Sequence, residues 1–194
     1  MIASPNQGFL TPTAYLTWEA QQETRHEYIA GEVYAMTGGT IPHNAIAINL
    51  IAALRNQLRG GACRVLGGDA KLRLTEQGPF FYPDVVVTCD DRDKKSLQFI
   101  QFPCLVVEVL SQGTEAYDRG AKFAHYRRLA SLREYVLINS EQVGVDLFRL
   151  NQQGNWELSP YTAGQSIQLT TIDFTFPIEL LYEEVELLPW PKVP

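Results

Sequence analysis

Apolar residues recur along this chain at two periods, and the switches between them mark its elements. Ile46, Leu50, Ile51, Leu54 and Leu58 follow the 3.6-residue spacing of a helix that opens at Pro42-His43-Asn44 and stops at Gly60-Gly61. Ahead of it, Thr13 to about Glu27 reads as a helix with Thr13 as N-cap. Tyr28-Ile29-Ala30-Gly31 then turns into a short strand, Glu32 to Met36, closed by Gly38-Gly39. The middle is strand-rich: Cys63–Leu66, Lys71–Thr75 and Phe80–Thr88, with turns at Gly67-Gly68 and Gly78-Pro79. A polar connection, Asp90 to Ser96, leads to the most apolar strand, Leu105 to Leu110. After Ser111–Thr114 a helix is predicted from about Glu115 to Leu129, followed by strands at Glu134–Ile138, Val143–Leu150 and Trp156–Tyr161. A strand near Ile167–Leu169 and a short helix at Pro177–Tyr182 complete the pattern. Residues 1–12, polar and with two prolines, read as a loosely held arm. This order predicts an α/β or α+β fold: a mixed central β-sheet flanked by helices.

Two acids interrupt this pattern where acids are expensive. Asp84 sits between Phe80-Phe81-Tyr82-Pro83 and Val85-Val86-Val87, and Glu108 lies inside Leu105-Val106-Val107 and Val109-Leu110. Continuous apolar runs mark strands buried on both faces. A carboxylate there must be paired, protonated or bound to a cation. Two carboxylates on adjacent strands repel unless a divalent cation lies between them, and oxygen-only donors suit magnesium or manganese better than zinc. The competing reading has one acid accepting backbone bonds at a strand end and the other pairing with an arginine.

Length and charge narrow the class. The 194 residues, 45% of them hydrophobic, predict a single domain spanning 1–194 with a sizeable core. No apolar run approaches the ~20 residues of a membrane helix, so no membrane association is expected. The start, Met1-Ile2-Ala3-Ser4-Pro5, does not read as a secretory signal. Cys63, Cys89 and Cys104 are odd in number and widely spaced, which fits reduced thiols in a cytoplasmic protein and leaves zinc short of ligands. The net charge of −6 argues at face value against a nucleic-acid partner, but the charge is segregated. Arg119 to Arg133 holds five basic residues and no acid, and Arg55 to Arg73 holds five against Asp69 alone. From Leu150 onward six acids face only Lys192. A local positive field can therefore coexist with an acidic total, although such runs can equally be ordinary solvated faces.

Five segments carry a resemblance. Arg25 to Met36, Pro83-Asp84-Val85-Val86-Val87, Val106 to Ser111, Tyr117 to Phe123 and Arg133-Glu134-Tyr135 together resemble the Uma-two family of bacterial endonucleases, within the PD-(D/E)XK nuclease class. The likeness runs from about Thr13 to Tyr182. It implies a restriction-endonuclease-like core, metal-dependent cleavage of DNA and a homodimer. In the general nuclease pattern a lysine follows the second acid by two residues, on the same strand face. That position is Leu110 here. Lys122 is the expected substitute. From Glu108 to Ser111 a strand advances about 10 Å, and a reversing helix from Thr114 to Lys122 returns about 12 Å, which brings Lys122 level with Glu108. The resemblance places the family's lysine there too. The alternative for Lys122 is a surface pair with Asp118.

The expected catalytic set is therefore Asp84, Glu108 and Lys122, with magnesium or manganese held by Asp84, Glu108 and the Val109 carbonyl. Arg119, Arg127 and Arg128 are expected to engage phosphates. Glu27, Glu32 and His43 are secondary candidates, Glu32 doubling as an ordinary exposed strand residue and His43 as a capping or core histidine. Tyr117, Phe123 and Tyr126 read as helix-to-sheet packing. Two other functions fit the same residues: an inactive module of this fold that binds a protein through its acidic C-terminal part, and a phosphodiesterase acting on RNA.

Overall fold

The computed structural model describes residues 8–36 and 38–187. Helix α1 (Pro12–Glu19) is capped by Thr11, whose Oγ1 accepts the Ala14 N–H at 3.2 Å, rather than by Thr13. It ends well before Glu27. The chain instead enters β1 (His26–Ile29), which pairs with β2 (Glu32–Ala35) across Ala30-Gly31, both at positive φ. Tertiary packing overrides the local helical pattern: Tyr28 is buried with Tyr15, Val33 and Phe80. The same hairpin ties down part of the expected arm. The Leu10 N–H donates to Gly31 O and the Tyr28 hydroxyl to Leu10 O, each at 2.9 Å, so residues 8–12 are held, while 1–7 lie outside the described residues.

Helix α2 (Ile41–Gln57) starts two residues after the glycines, with Thr40 as cap and Pro42 in its first turn. Strands β3 (Arg64–Gly67) and β4 (Leu72–Arg73) come next. The predicted strand Phe80–Thr88 is two strands, β5 (Phe80–Phe81) and β6 (Val85–Thr88). Pro83 offers no N–H to a ladder, so the chain leaves one sheet before it and enters another after it. Asp84 thus sits at a break, not inside a strand. The polar connection holds the short α3 (Asp91–Lys94), and β7 (Pro103–Leu110) is the long buried strand. The expected helix from Glu115 to Leu129 is broken into α4 (Glu115–Tyr117), a π turn (Asp118–Lys122) and α5 (Phe123–Tyr126). Strands β8 (Glu134–Asn139), β9 (Val145–Leu150) and β10 (Trp156–Tyr161) complete the main sheet. After them, β11 (Ser166–Leu169) pairs with β12 (Phe174–Pro177), a strand the pattern did not predict, and a 3₁₀ turn spans Ile178–Tyr182.

Strands β2-β1-β5-β4 form one sheet and β10-β9-β8-β7-β6-β3 a second, in which only β7 and β8 run parallel. The fold is therefore α+β around a mixed sheet. Leu105, Val107 and Val109 of β7 face Ile46, Leu50 and Leu54 of α2. Val106 and Leu110 face Tyr126, Leu129, Leu132 and Tyr135. With a period of two, Glu108 falls on this second face, under the broken helix. Among the described residues no helix is long and apolar enough to cross a membrane.

The cysteines depart from the expectation of reduced thiols. Cys63 and Cys89 form a disulfide, while Cys104 is free with its Sγ 3.6 Å from that of Cys89. The β3–β6 ladder pairs Arg64 with Thr88, so its next step brings residues 63 and 89 together despite a sequence separation of 26. The pairing removes the cysteine count as an argument for a reducing compartment.

Candidate active site

The β6–β7 register pairs Val85 with Val107 and Val86 with Val106, and one further step sets Asp84 against Glu108. Asp84 keeps a fifth of its side chain exposed (21%). Its Oδ2 accepts the Val109 N–H at 2.7 Å and lies 3.3 Å from His43 Nε2. Glu108, 3% exposed, has its Oε1 2.9 Å from Lys122 Nζ and accepts the Tyr126 hydroxyl at 2.8 Å. Lys122 Nζ also lies 3.1 Å from Glu27 Oε1 and 3.6 Å from Asp118 Oδ1. Glu27 reaches this point from β1, and its Oε1 accepts the Tyr82 N–H at 3.4 Å.

The π turn positions the lysine. An extra residue in a helix rotates all later positions by about 100°, and such turns recur at functional sites. Asp118, Lys122 and Tyr126, four residues apart, all converge on Glu108 or on the lysine beside it. The Tyr135 hydroxyl donates to Asp118 O at 3.0 Å and anchors the turn to β8.

Burial opposes the charges of Lys122, Glu108, Asp118 and His43, and the outcome differs by residue. Burial works to lower Lys122, but Glu108, Glu27 and Asp118 outweigh it and hold the ammonium charged well above its ordinary range. Burial pushes Glu108 well up, with Lys122 pulling it back and Asp84 and Asp118 adding to the rise. Asp118 is raised by burial against the pull of Lys122. For His43 burial is outweighed by the hydrogen bond and charge of Asp84, helped by the Val109 backbone, so its pKa rises. The result is a compact cluster of four carboxylates around one lysine and one histidine.

The sequence profile of the family described as "putative restriction endonuclease", Uma2, matches residues 12–179. The chain belongs to the Uma2 family. An uncharacterised protein of Synechocystis sp., slr1290, is 44% identical over 185 residues, covering 94% of this chain and 97% of its own. A second from the same organism, sll1609, is 30% identical over 161 residues, covering 82% of this chain and 91% of its own. A crystallised protein of Anabaena variabilis, described as a putative nuclease belonging to DUF820, superposes with a TM-score of 0.76 at 15% identity. That match covers 91% of this chain and 99% of the other, and it establishes a nuclease-like fold.

Within the Uma2 chain the structure brings Asp84, Glu108, Lys122, Glu27 and His43 together. It leaves Glu32 outside, exposed on β2 and bonded to the Tyr34 hydroxyl. His43 is not the helix cap, which is Thr40. The Lys122–Asp118 pair is buried, not the surface pair that spacing alone allowed. Arg119 is committed to Glu115 and Asp146, whereas Arg127 and Arg128 are exposed. Pattern reading missed Asp118 and Tyr126 as site residues, although their spacing of four from Lys122 was a usable signal. Phe123 does pack as expected, stacked 5.2 Å from Tyr135.

The Uma2 donor set fits a divalent cation in charge and in atoms. Four carboxylates exceed the two cationic side chains, which leaves net negative charge at the site even with His43 protonated. Asp84 Oδ1 and Glu108 Oε2 have no hydrogen-bond partner among the described residues. Among those residues no three His, Cys, Asp or Glu side chains converge as a ready-made cage. Magnesium rarely uses such a cage: one or two carboxylates, retained waters and substrate phosphate suffice.

Proposed function

We propose that this Uma2 protein is a metal-dependent endonuclease that hydrolyses phosphodiester bonds of DNA. The observation that carries this reading is the Lys122 ammonium, 2.9 Å from a buried Glu108 that the β6–β7 register sets opposite Asp84. Asp84, Glu108 and the Val109 carbonyl would hold magnesium or manganese. The chemistry a divalent cation would supply there is an acidified water and an offset to the negative charge of the scissile phosphate.

The protein's own groups do the rest. Lys122, kept charged by three carboxylates, stabilises the charge that builds on the phosphoryl oxygens or orients the attacking water. Glu27, itself fixed by the Tyr82 N–H, holds the ammonium as a second carboxylate 3.1 Å away. The Tyr126 hydroxyl fixes one oxygen of Glu108 and leaves the other for a ligand. His43 and the Val109 N–H do the same for Asp84. Arg127 and Arg128 supply exposed charge for flanking phosphates, and Arg119 joins them only by leaving Glu115 and Asp146. Because the net charge is −6, DNA affinity should be weak, salt-sensitive and higher with divalent metal present.

Supercoiled plasmid, single-stranded DNA and RNA, each incubated with magnesium or manganese, test the reading. Plasmid cleavage that EDTA and Asp84→Ala both abolish is expected. Cleavage of RNA alone would move the protein to the RNA phosphodiesterase class. No cleavage of any substrate, with no manganese binding that depends on Asp84, would leave a non-catalytic binding module.

A further inference from the structure

Glu19 is a buried acid that the proposed chemistry does not use. It is the last residue of α1, is 1% exposed, and has both oxygens engaged. Its Oε1 accepts the His26 N–H and the Tyr82 hydroxyl, each at 2.9 Å, and its Oε2 lies 3.2 Å from His26 Nδ1. Both partners are close in the chain to acids of the site. His26 immediately precedes Glu27, and Tyr82 stands two residues before Asp84, in the break between β5 and β6. Tyr82 also gives its own N–H to Glu27 Oε1 at 3.4 Å.

The sheet itself does little to hold these two segments together. Strand β1 meets β5 in register at one position, Tyr28 against Phe80, which leaves the placement of Glu27 against Asp84 weakly fixed by the ladder. Glu19 lies behind β1 as seen from the site. His26 and Tyr28 turn toward α1, where Trp18 and Tyr15 pack on them, and Glu27 between them turns toward Lys122. Any effect of Glu19 on the chemistry therefore passes through the segments it joins. Packing alone would be served by an apolar side chain of the same shape, with no carboxylate to desolvate. A carboxylate bonded at both oxygens also fixes direction.

We infer that Glu19 is a positioning residue of the site: it joins β1 to the Tyr82–Asp84 segment and so sets Glu27, with the Lys122 ammonium beside it, against Asp84. The inference rests on the nuclease reading, and the test separates the two. Wild type, Glu19→Met, Glu19→Gln and Tyr82→Phe are compared for plasmid cleavage with manganese, for manganese affinity by calorimetry and for Tm without metal, with kcat expressed per folded molecule. Glu19→Met keeps the bulk and removes all three contacts. It should lower kcat about a hundredfold, the cost of a misplacement of about 1 Å, with KM for DNA unchanged and manganese affinity weakened about tenfold. Tyr82→Phe removes one contact and should lower kcat about tenfold. Glu19→Gln should stay near wild type, because its amide oxygen still accepts both bonds and its NH2 faces an imidazole nitrogen able to accept. Full kcat in Glu19→Met, whatever its Tm, shows a packing role and overturns the inference while the nuclease reading stands. A Glu19→Gln protein as slow as Glu19→Met overturns it too, since charge and not placement would then matter. If Glu19→Met does not fold, Tyr82→Phe takes its place, and undiminished kcat there overturns the inference. A wild type that binds manganese and cuts nothing defeats the nuclease reading alone, and affinity then replaces kcat: unweakened binding by Glu19→Met overturns the positioning role. A wild type that neither cuts nor binds manganese defeats both.

Discussion

Replacing Lys122 with methionine keeps the apolar stem and removes one charge from the centre of the cluster. The lost ammonium lies 2.9, 3.1 and 3.6 Å from Glu108, Glu27 and Asp118, all buried. An exposed pair would be worth a few tenths of a kcal/mol, but removing one partner from a buried pair costs about 3–5 kcal/mol. In a chain of this size each kcal/mol moves Tm by about 2–4 °C, so Lys122→Met should lower it by about 6–20 °C near neutral pH. The loss should also depend on pH. Burial already holds Glu108 above its ordinary range, and without the lysine's pull it rises further. Between the unfolded and folded pKa values the folded state then binds more protons than the unfolded one, so stability falls as pH rises and recovers as pH drops toward the ordinary Glu value of about 4.3. Lys122 itself titrates well above this window and adds no slope to it. Thermal melts of both proteins in EDTA, from about pH 5 to about pH 8, should show a deficit that is largest at the alkaline end. A deficit below about 2 °C, or one that does not change with pH, refutes the burial and pairing argued for this cluster.

Glu108→Gln keeps an acceptor for the Tyr126 hydroxyl and removes the carboxylate that burial disfavours. It should abolish cleavage and, because it takes from the buried Lys122 ammonium the nearest of its three carboxylates, also lower Tm near pH 8. The fall should be smaller than for Lys122→Met, since Glu27 and Asp118 remain, and melts and plasmid assays on one preparation read both. Glu134→Ala provides the contrast: fully buried, Glu134 accepts from Arg149, Thr170 and Thr171, far from any role in the site. Its loss should cost about 3–5 kcal/mol and leave manganese affinity, read by calorimetry, unaltered.

Features that leave a local mark were legible in the sequence. Glu108 stood out because a strand buried on both faces is written as one apolar run, and an acid in such a run is visible. Lys122 could be placed by rise per residue along a strand and a returning helix, and the structure does set its amine beside Glu108. Long-range register was not legible. The partnership of Cys63 with Cys89 depends on the β3–β6 ladder, and the helix expected as far as Glu27 gave way to a hairpin that packs Tyr28 against Tyr15 and Phe80. His43 looked like a cap because only its own helix was in view, whereas Asp84 approaches it from the break before β6. The break at Pro83 was available in the sequence but was outweighed by the apolar residues around it. The π turn left no pattern: its hydrogen bonding shifts by one residue while the composition still reads as helix. Tyr126 was legible as packing, and its hydroxyl gives it a second task at Glu108.

The central claim is that Asp84 at the break before β6, Glu108 on β7 and Lys122 in the π turn build one metal site. A crystal grown with manganese, with anomalous scattering recorded, tests this most directly. The expected result is a peak held by both Asp84 and Glu108, with the Val109 carbonyl as a further ligand and the Lys122 amine beside it. Manganese bound elsewhere with neither carboxylate engaged, or no manganese at these acids at saturating concentration, would contradict it.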